Sequence, residues 1–588
     1  MIPSINTLLS YRCRLACPLQ PSTINTETRI EHIIGAKRFS TAMRALVLDG
    51  YTDEPACLGV PPFVSPYARL AFGALASAGV EVDYATIDQW RSRTIRLDRY
   101  DLLAVIRNIA VPGKYLRGMP ASDKELLEIA SSFSGRSTAS LGVGPEKVPS
   151  NLREAFDHLA SGDFDASIND LVTKGEFVQR RRTYEEWNSW LVRGASVCVH
   201  HPDYGGPLIA EVQMYRGCVR YISGGCKFCI EPLFGDVQFR RPTDILAEVE
   251  ALANAGVRNF RLGAQSCVYC YMSDETGRSE TPTPNSDAIS RLLKGIRTIA
   301  RPEVFHLDNA NPAVIAEHPK ESRDITKAIA EYCTSGNVLA FGLESADPKV
   351  AKANNLNATA EQTLEAIRLV NEIGAARGPT GLPQVLPGIN FVCGLDGETK
   401  ETYRLNLDFL REVVSRGLML RRINIRQVIP SRGEFPGVRS KADFTKFKRA
   451  VREEIDGPLL ERLVPDRTIL RSVYAEVREG GRTFGRQVGT YPLLVSISYA
   501  VDIGKRIDVA VTGWGFRSVN GVEHPTDANS ATLSMLEAIP GIGKRRAMSI
   551  VRKRPFATEA DLWKLFDEPN ALASAQFHLA LRNVIEKQ

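Results

Sequence analysis

The chain has 588 residues, 44% of them hydrophobic and 24% charged, with a formal net charge of +6. That length exceeds what one core organises, and no apolar run reaches the roughly eighteen residues of a membrane span. The small net charge excludes a polycation, and eleven cysteines are too sparse for a disulfide-built secreted scaffold, which points to a soluble protein of the reducing cytoplasm.

Residues 1–42 contain Ser, Thr and Arg but no apolar core of a secretory signal, and they read as a disordered extension ahead of Met43. Residues 43–150 alternate strand and helix: the apolar run 45–50, a helical stretch over 67–79 that stops at Gly79, and strand-like runs at 80–87 and 101–107. Strand, helix, strand in that order predicts an open α/β domain. Such domains bind nucleotides or corrinoids in some proteins, but this one has no G-x-G-x-x-G and no Asp-x-His-x-x-Gly.

Residues 151–206 read as a polar helical connector. From 207 to 435 apolar strands recur at 208–215, 257–263, 304–309, 338–345, 389–395 and 423–430, separated by amphipathic helices. Six βα units in succession predict a partial (β/α)6 TIM-like barrel. Residues 440–480 read as helical and charged, a short β-rich region follows within an accessory segment spanning 436–529, and a compact helical tail occupies 530–588. The fold class is therefore α/β.

The first barrel strand runs into RGCVRYISGGCKFCIE (216–231), with Cys218 at the strand end and Cys226 and Cys229 in the following loop. A structural zinc site needs four closed ligands, and no fourth Cys or His with ligand spacing is nearby. Three thiolates suit a [4Fe–4S] cluster with one iron left open for a substrate or cofactor. Cys267 and Cys270 follow the second strand; they are either ordinary thiols or, with Cys333 or Cys393, part of an auxiliary site. Asp308, with Asn309 and Asn311, ends the third strand and is a candidate catalytic group lining the site. His200 and His201 are left without a role.

A glycine-spaced cysteine triplet ending in Cys226-Lys-Phe228-Cys229 after the first strand of a βα barrel resembles the radical S-adenosylmethionine superfamily. The spacing departs from the family's C-x3-C-x2-C, being C-x7-C-x2-C here; the four extra residues lengthen the loop without removing a ligand. Further segments resemble the family in order. These are Arg261-Leu-Gly263-Ala-Gln265, Phe341-Gly-Leu-Glu344-Ser345, Asn390-Phe-Val-Cys-Gly394-Leu-Asp-Gly-Glu398, in which Asp396 replaces a proline, and Val428-Ile429-Pro430.

The resemblance implies a [4Fe–4S] cluster on Cys218, Cys226 and Cys229. It implies S-adenosylmethionine held by Phe228, Gly263, Glu344, Ser345, Gly394 and Ile429. An electron from a donor such as ferredoxin or flavodoxin would then release a 5′-deoxyadenosyl radical that takes a hydrogen atom from the substrate.

The segment 536–547, LEAIPGIGKRRA, resembles a helix-hairpin-helix module, and the run Lys544 to Arg554 holds basic and no acidic residues. The module implies that Gly541, Gly543, Lys544 and Arg545 grip a nucleic-acid phosphate, of tRNA or DNA, without reading sequence. The whole arrangement resembles radical S-adenosylmethionine proteins with a C-terminal helix-hairpin-helix motif. Three functions follow as expectations: a radical enzyme modifying a nucleic acid such as tRNA, a radical enzyme acting on a small molecule or protein with cobalamin in the N-terminal domain, and a non-enzymatic nucleic-acid-binding iron–sulfur protein. Oligomeric state is not legible.

Overall fold

The structure, a computed structural model, describes residues 43–51, 63–107, 118–141, 148–429 and 432–581. The extension 1–42, half of the proline-rich loop after the first strand, and Pro430 lie outside the described residues.

Five strands, β1 (Arg44–Asp49), β3 (Glu81–Thr86), β4 (Leu102–Ile106), β5 (Ser137–Leu141) and β6 (His158–Ala160), form a parallel sheet in the order β3-β1-β4-β5-β6. The apolar runs of β1 and β4 are continuous because both of their faces are covered. Strand β6 lies inside the segment read as a connector; three residues, His-Leu-Ala, are too short to show any alternation. A further strand, β2 (Phe63–Val64), leaves this domain and pairs in parallel with the first barrel strand.

The helix Pro66–Ser77 is capped by Ser65 and starts with proline, and it buries Leu70, Phe72 and Leu75. A side chain at Gly73 would meet the Trp190 carbonyl at 2.0 Å, and one at Gly194 would meet the Arg69 carbonyl at 2.0 Å. This pair of glycines lets the connector helix Tyr184–Arg193 lie directly against it. Arg69 is fully buried; it pairs with Glu248 of the barrel helix Pro242–Asn254 and donates to the Glu211 carbonyl, while Arg240 takes the other Glu248 oxygen. That ion triad joins the N-terminal domain to the barrel.

The barrel strands are β7 (Ile209–Gln213), β10 (Asn259–Gly263), β11 (Val304–Leu307) continued by β12 (Asn309–Ala310), β13 (Asn337–Glu344), β14 (Val385–Cys393) and β15 (Arg422–Gln427). All pair in parallel, and the third stave is interrupted only at Asp308. The six-stave half-barrel agrees with the sequence expectation, and β2 extends it beyond β7. A short hairpin, β8 (Tyr215–Arg216) with β9 (Gln238–Phe239), flanks the cysteine loop at the end of the first stave.

Beyond the barrel, β16 (Ile469–Glu479), β17 (Arg482–Gln487), β18 (Leu494–Ile497), β19 (Arg506–Trp514) and β20 (Ser518–Glu523) close a small barrel in the order β16-β17-β18-β20-β19. This five-stranded Greek-key arrangement is that of oligonucleotide- and oligosaccharide-binding barrels. Strand β16 occupies residues read as helical. Its charged residues and two register shifts, at Leu470/Val473 and Ala475/Val477, hide the period-2 pattern.

The tail has helices Leu533–Glu537, Gly543–Lys553, Glu559–Trp563 and Pro569–His578, packed through Leu536, Ala547, Ile550, Leu562 and Ala575. It is tied back by β21 (Thr526–Asp527) and β22 (Leu579–Ala580).

Candidate active site

Twenty-one residues separate β8 from β9, and they leave the barrel at the C-terminal end of the first stave, where parallel barrels place their chemistry. Positive φ at Gly217, Gly224 and Gly225 turns the loop, and a side chain at Gly225 would strike Pro232 at 2.5 Å. The loop's entrance is fixed by Arg216, which donates to Asp163 of the connector over 2.7 Å.

Its tip is held from three sides. Arg220 donates to the Asn355 carbonyl over 2.9 Å, Asn355 donates to the Gly225 carbonyl over 2.9 Å, and the Lys227 N–H reaches the Asn354 carbonyl at 3.1 Å. Arg432 donates to the carbonyls of Gly224, Cys226 and Lys227. Sequence reading missed these three side chains, Arg220, Asn355 and Arg432. Two adjacent asparagines closing the helix Pro348–Ala353, with Asn355 at φ 51°, were the available signal.

Cys218, Cys226 and Cys229 are all partly exposed and in no disulfide. Burial pushes the Cys226 thiol up to about 11, opposed by the Arg220 guanidinium, whose Nη1 is 3.4 Å from the sulfur. Burial also raises Cys218 and Cys229. Among the described residues no three His, Cys, Asp or Glu side chains converge on a point for a single ion. A [4Fe–4S] cluster instead takes each thiolate on a separate iron, and the loop offers sulfur donors with a cation beside one of them. The residues present fit such a cluster.

The ends of the later staves surround this loop. Glu344 closes β13 beyond a bulge with φ 63°, a left-handed conformation unusual for a residue with a side chain. Its Oε2 is buried without a hydrogen-bond partner, and burial lifts the carboxyl to about 8 although Arg426 opposes this. Ser345 is buried and accepts the Asp347 N–H over 3.2 Å, so it caps the turn that follows. At the end of β14, Gly394 has φ 91° and donates its N–H to Glu398 over 2.7 Å, and Tyr403 donates to the other Glu398 oxygen at 2.6 Å. Ile429, two residues past β15, is exposed, and Phe228 is half-buried in the cysteine loop. Gly263 ends β10 against Glu211, whose Oε1 would lie 2.1 Å from an added Cβ.

Asp308 is buried in a network. Arg261, fully buried, pairs with it, Tyr491 donates to its Oδ1 over 2.5 Å, and Glu211 stands 3.6 Å from the Arg261 Nε. Tyr491 comes from the loop between β17 and β18 and packs with Val338, Ala340 and Phe63. The small barrel thus inserts a side chain into the half-barrel, which no sequence signal announced.

Cys267 and Cys270 are buried together as free thiols: Cys270 donates a hydrogen bond to the Cys267 sulfur, which also accepts the Asn311 N–H over 3.2 Å. In the tail, Gly541 and Gly543 have φ of 79° and 57° and lead into the helix Gly543–Lys553. Lys544 and Arg545 are exposed in its first turn, while Arg546 pairs with Glu568 at 2.9 Å.

A clamped sulfur-rich loop at the mouth of a parallel half-barrel, close to the Glu344 carboxyl, suits an iron–sulfur cluster. Residues 212–410 match the family model described as the radical SAM superfamily. An uncharacterized protein of Methanocaldococcus jannaschii is 47% identical over 81% of this chain and 93% of its own length. The tRNA-2-methylthio-N(6)-dimethylallyladenosine synthase of Thermus thermophilus is 25% identical over 51% of this chain and 59% of its own. A solved radical S-adenosylmethionine methyltransferase, TsrM of Kitasatospora setae, aligns at 15% identity over 75% of this chain and 79% of its own, with a TM-score of 0.44.

The chain belongs to the radical S-adenosylmethionine superfamily. It is an enzyme of that type, using a [4Fe–4S] cluster and S-adenosylmethionine, and the non-enzymatic reading is set aside. No helix among the described residues is long and apolar enough to cross a membrane.

Proposed function

We propose that this enzyme modifies a nucleic acid such as tRNA, with Cys218, Cys226 and Cys229 holding three corners of the cluster. When bound, cluster and S-adenosylmethionine supply a carbon-centred radical able to take hydrogen from an unactivated C–H bond. The chain's part is to hold the cysteine loop rigid through Arg220, Asn355 and Arg432 and to keep the site shielded. Glu344, lacking a partner for Oε2, is placed to accept hydrogen bonds from the cofactor's polar groups, and the Gly394–Glu398 turn shapes the wall beside it. Asp308 is better read as a positioning residue, since Arg261 and Tyr491 occupy its oxygens.

One observation carries the choice of substrate. Lys544 and Arg545 stand in the first turn of an eleven-residue helix, where the helix dipole disfavours cations. Such a placement is useful when an anion occupies the helix start, as a phosphate does. An electron carrier such as ferredoxin or flavodoxin completes the system. The test is mass spectrometry of nucleosides from a deletion strain: loss of one modified nucleoside, restored by the wild-type gene and not by a Cys226→Ala copy, supports the reading. An unchanged nucleoside profile contradicts it.

A second reading rests on the N-terminal sheet. Taken in chain order its strands run 2-1-3-4-5, which places a ligand crevice at the carboxyl ends of β1 and β4. Cobalamin there would favour a small-molecule or protein substrate. Corrinoid retained through gel filtration of the full chain would support that alternative.

A further inference from the structure

A group of cations lies where the last stave, the helical segment and the small barrel meet. Arg421 and Arg422 enter β15, Lys448 and Arg452 come from the helical residues 441–463, and Arg517 sits between β19 and β20. All five are half-buried. Arg421 donates to the Tyr491 carbonyl over 2.7 Å, Arg422 lies 4.4 Å from the Tyr491 ring centre, and Arg452 lies 5.3 Å from that of Phe516.

Nearby arginines are neutralised: Arg404, Arg411 and Arg416 lie 2.7, 2.6 and 2.6 Å from carboxylates. None of the five has an ion-pair partner among the described residues. The Arg421 Nε is buried with no hydrogen-bond partner. Burial, then repulsion from Arg422 and Arg517, pushes Arg421 down to about 10, and Lys448 and Arg517 are depressed by burial and by their cationic neighbours. Asp456, the carboxyl facing Arg517 and Arg452, is itself raised to about 6 by burial. Five cations gathered partly away from water around one carboxyl, Asp456, are unfavourable for the chain alone and favourable around an added anion.

Beside them the same loop exposes two large rings, Trp514 at 38% and Phe516 at 58%. The Trp514 indole N–H is anchored on the Val464 carbonyl at 2.9 Å. This is the fourth connection of the five-stranded barrel, one of the loops by which barrels of this topology hold oligonucleotides.

We propose that this cation group, with Trp514 and Phe516, binds a single-stranded nucleic acid, the cations taking backbone phosphates and the rings stacking on bases. The inference rests on the reading of the substrate as a nucleic acid and adds a second holding site beside the half-barrel, apart from the tail hairpin. A single strand is indicated because stacking on exposed rings needs unpaired bases. The site also leads inward: Arg422, Asn424 and Arg426 share one face of β15, and Arg426 lies close enough to Glu344 to lower its pKa.

The test uses full-length, cluster-loaded protein and fluorescein-labelled probes of about 12 nucleotides, as single-stranded RNA, single-stranded DNA of the same sequence, and duplex, followed by anisotropy. The expected result is tighter binding of a single strand than of duplex, with Phe516→Ala weakening it about tenfold and Phe516→Trp retaining it. The double variant Arg452→Gln/Arg517→Gln lowers the log–log salt slope by about 2. Tighter RNA than DNA binding identifies RNA as the ligand, and the reverse identifies DNA. If both variants bind like wild type while Lys544→Ala/Arg545→Ala fails to bind, this site is wrong and the nucleic-acid reading stands on the hairpin. If wild type binds no probe at low salt, both fall.

Discussion

Tyr491 of the small barrel donates its hydroxyl to Asp308 of the half-barrel over 2.5 Å, across 183 residues of sequence. Asp308 is the countercharge of the fully buried Arg261, so the contact joins two domains through a charged group that neither can expose. Tyr491→Phe removes one hydrogen bond to a charged acceptor and should destabilise the protein by about 2 kcal/mol. Asp308→Ala takes the nearer countercharge from the buried Arg261, leaving it Glu211 at 3.6 Å, and should cost about 3 kcal/mol. Denaturant unfolding checks the ranking. A stable Asp308→Ala protein that has lost only turnover would return Asp308 to a catalytic role.

The Glu344 carboxyl gives a pH dependence with a definite sign. Its folded value, about 8, exceeds the ordinary glutamate value of about 4.3, so the folded state holds this proton more tightly than the unfolded one. The stability it contributes is full below the ordinary value and is lost as pH rises through about 8. Glu344→Gln should therefore make the cofactor-free protein more stable than wild type above pH 8, on the order of 2 kcal/mol, with little difference near pH 4. Thermal melts across this range check it. Parallel curves for the two proteins would mean that Glu344 is solvated or paired.

Arg69, Arg240 and Glu248 place two cations around one buried carboxylate. Glu248→Gln should destabilise the fold by about 3–5 kcal/mol by leaving both guanidinium groups unpaired, whereas Arg69→Met should cost less because Arg240 still neutralises Glu248. Unfolding curves of the two variants give the order directly.

Lys544 and Arg545, exposed at the start of their helix, should contribute mainly charge to nucleic-acid binding. Replacing both by alanine should weaken binding of all sequences alike and lower the salt slope by about 2, with no change in sequence preference. A change in preference without a change in slope would contradict phosphate contact.

Much of the barrel was legible because its strands are buried on both faces and therefore read as uninterrupted apolar runs, as in Val338–Leu343. The cysteine loop was legible from spacing, since glycines and thiols fall in one short segment. What supports that loop was not. Arg216 is held by Asp163, Arg220 by Asn355, and Arg432 spans back more than 200 residues, so each partner is fixed by the fold and not by local pattern. Strand β16 was misread because bulges broke its period, and β6 because three residues carry no period. Tyr491 sits in a loop whose sequence gives no hint that it enters another domain.

On the proposed reading, Cys218, Cys226 and Cys229 hold a cluster with one iron open to S-adenosylmethionine. Anaerobically reconstituted wild-type protein, reduced with dithionite and given S-adenosylmethionine, is to be assayed for 5′-deoxyadenosine beside Cys226→Ala and Cys267→Ala. Wild type and Cys267→Ala should each carry about four irons per chain and form product, and Cys226→Ala should form none. Equal product from Cys226→Ala and wild type would contradict that reading.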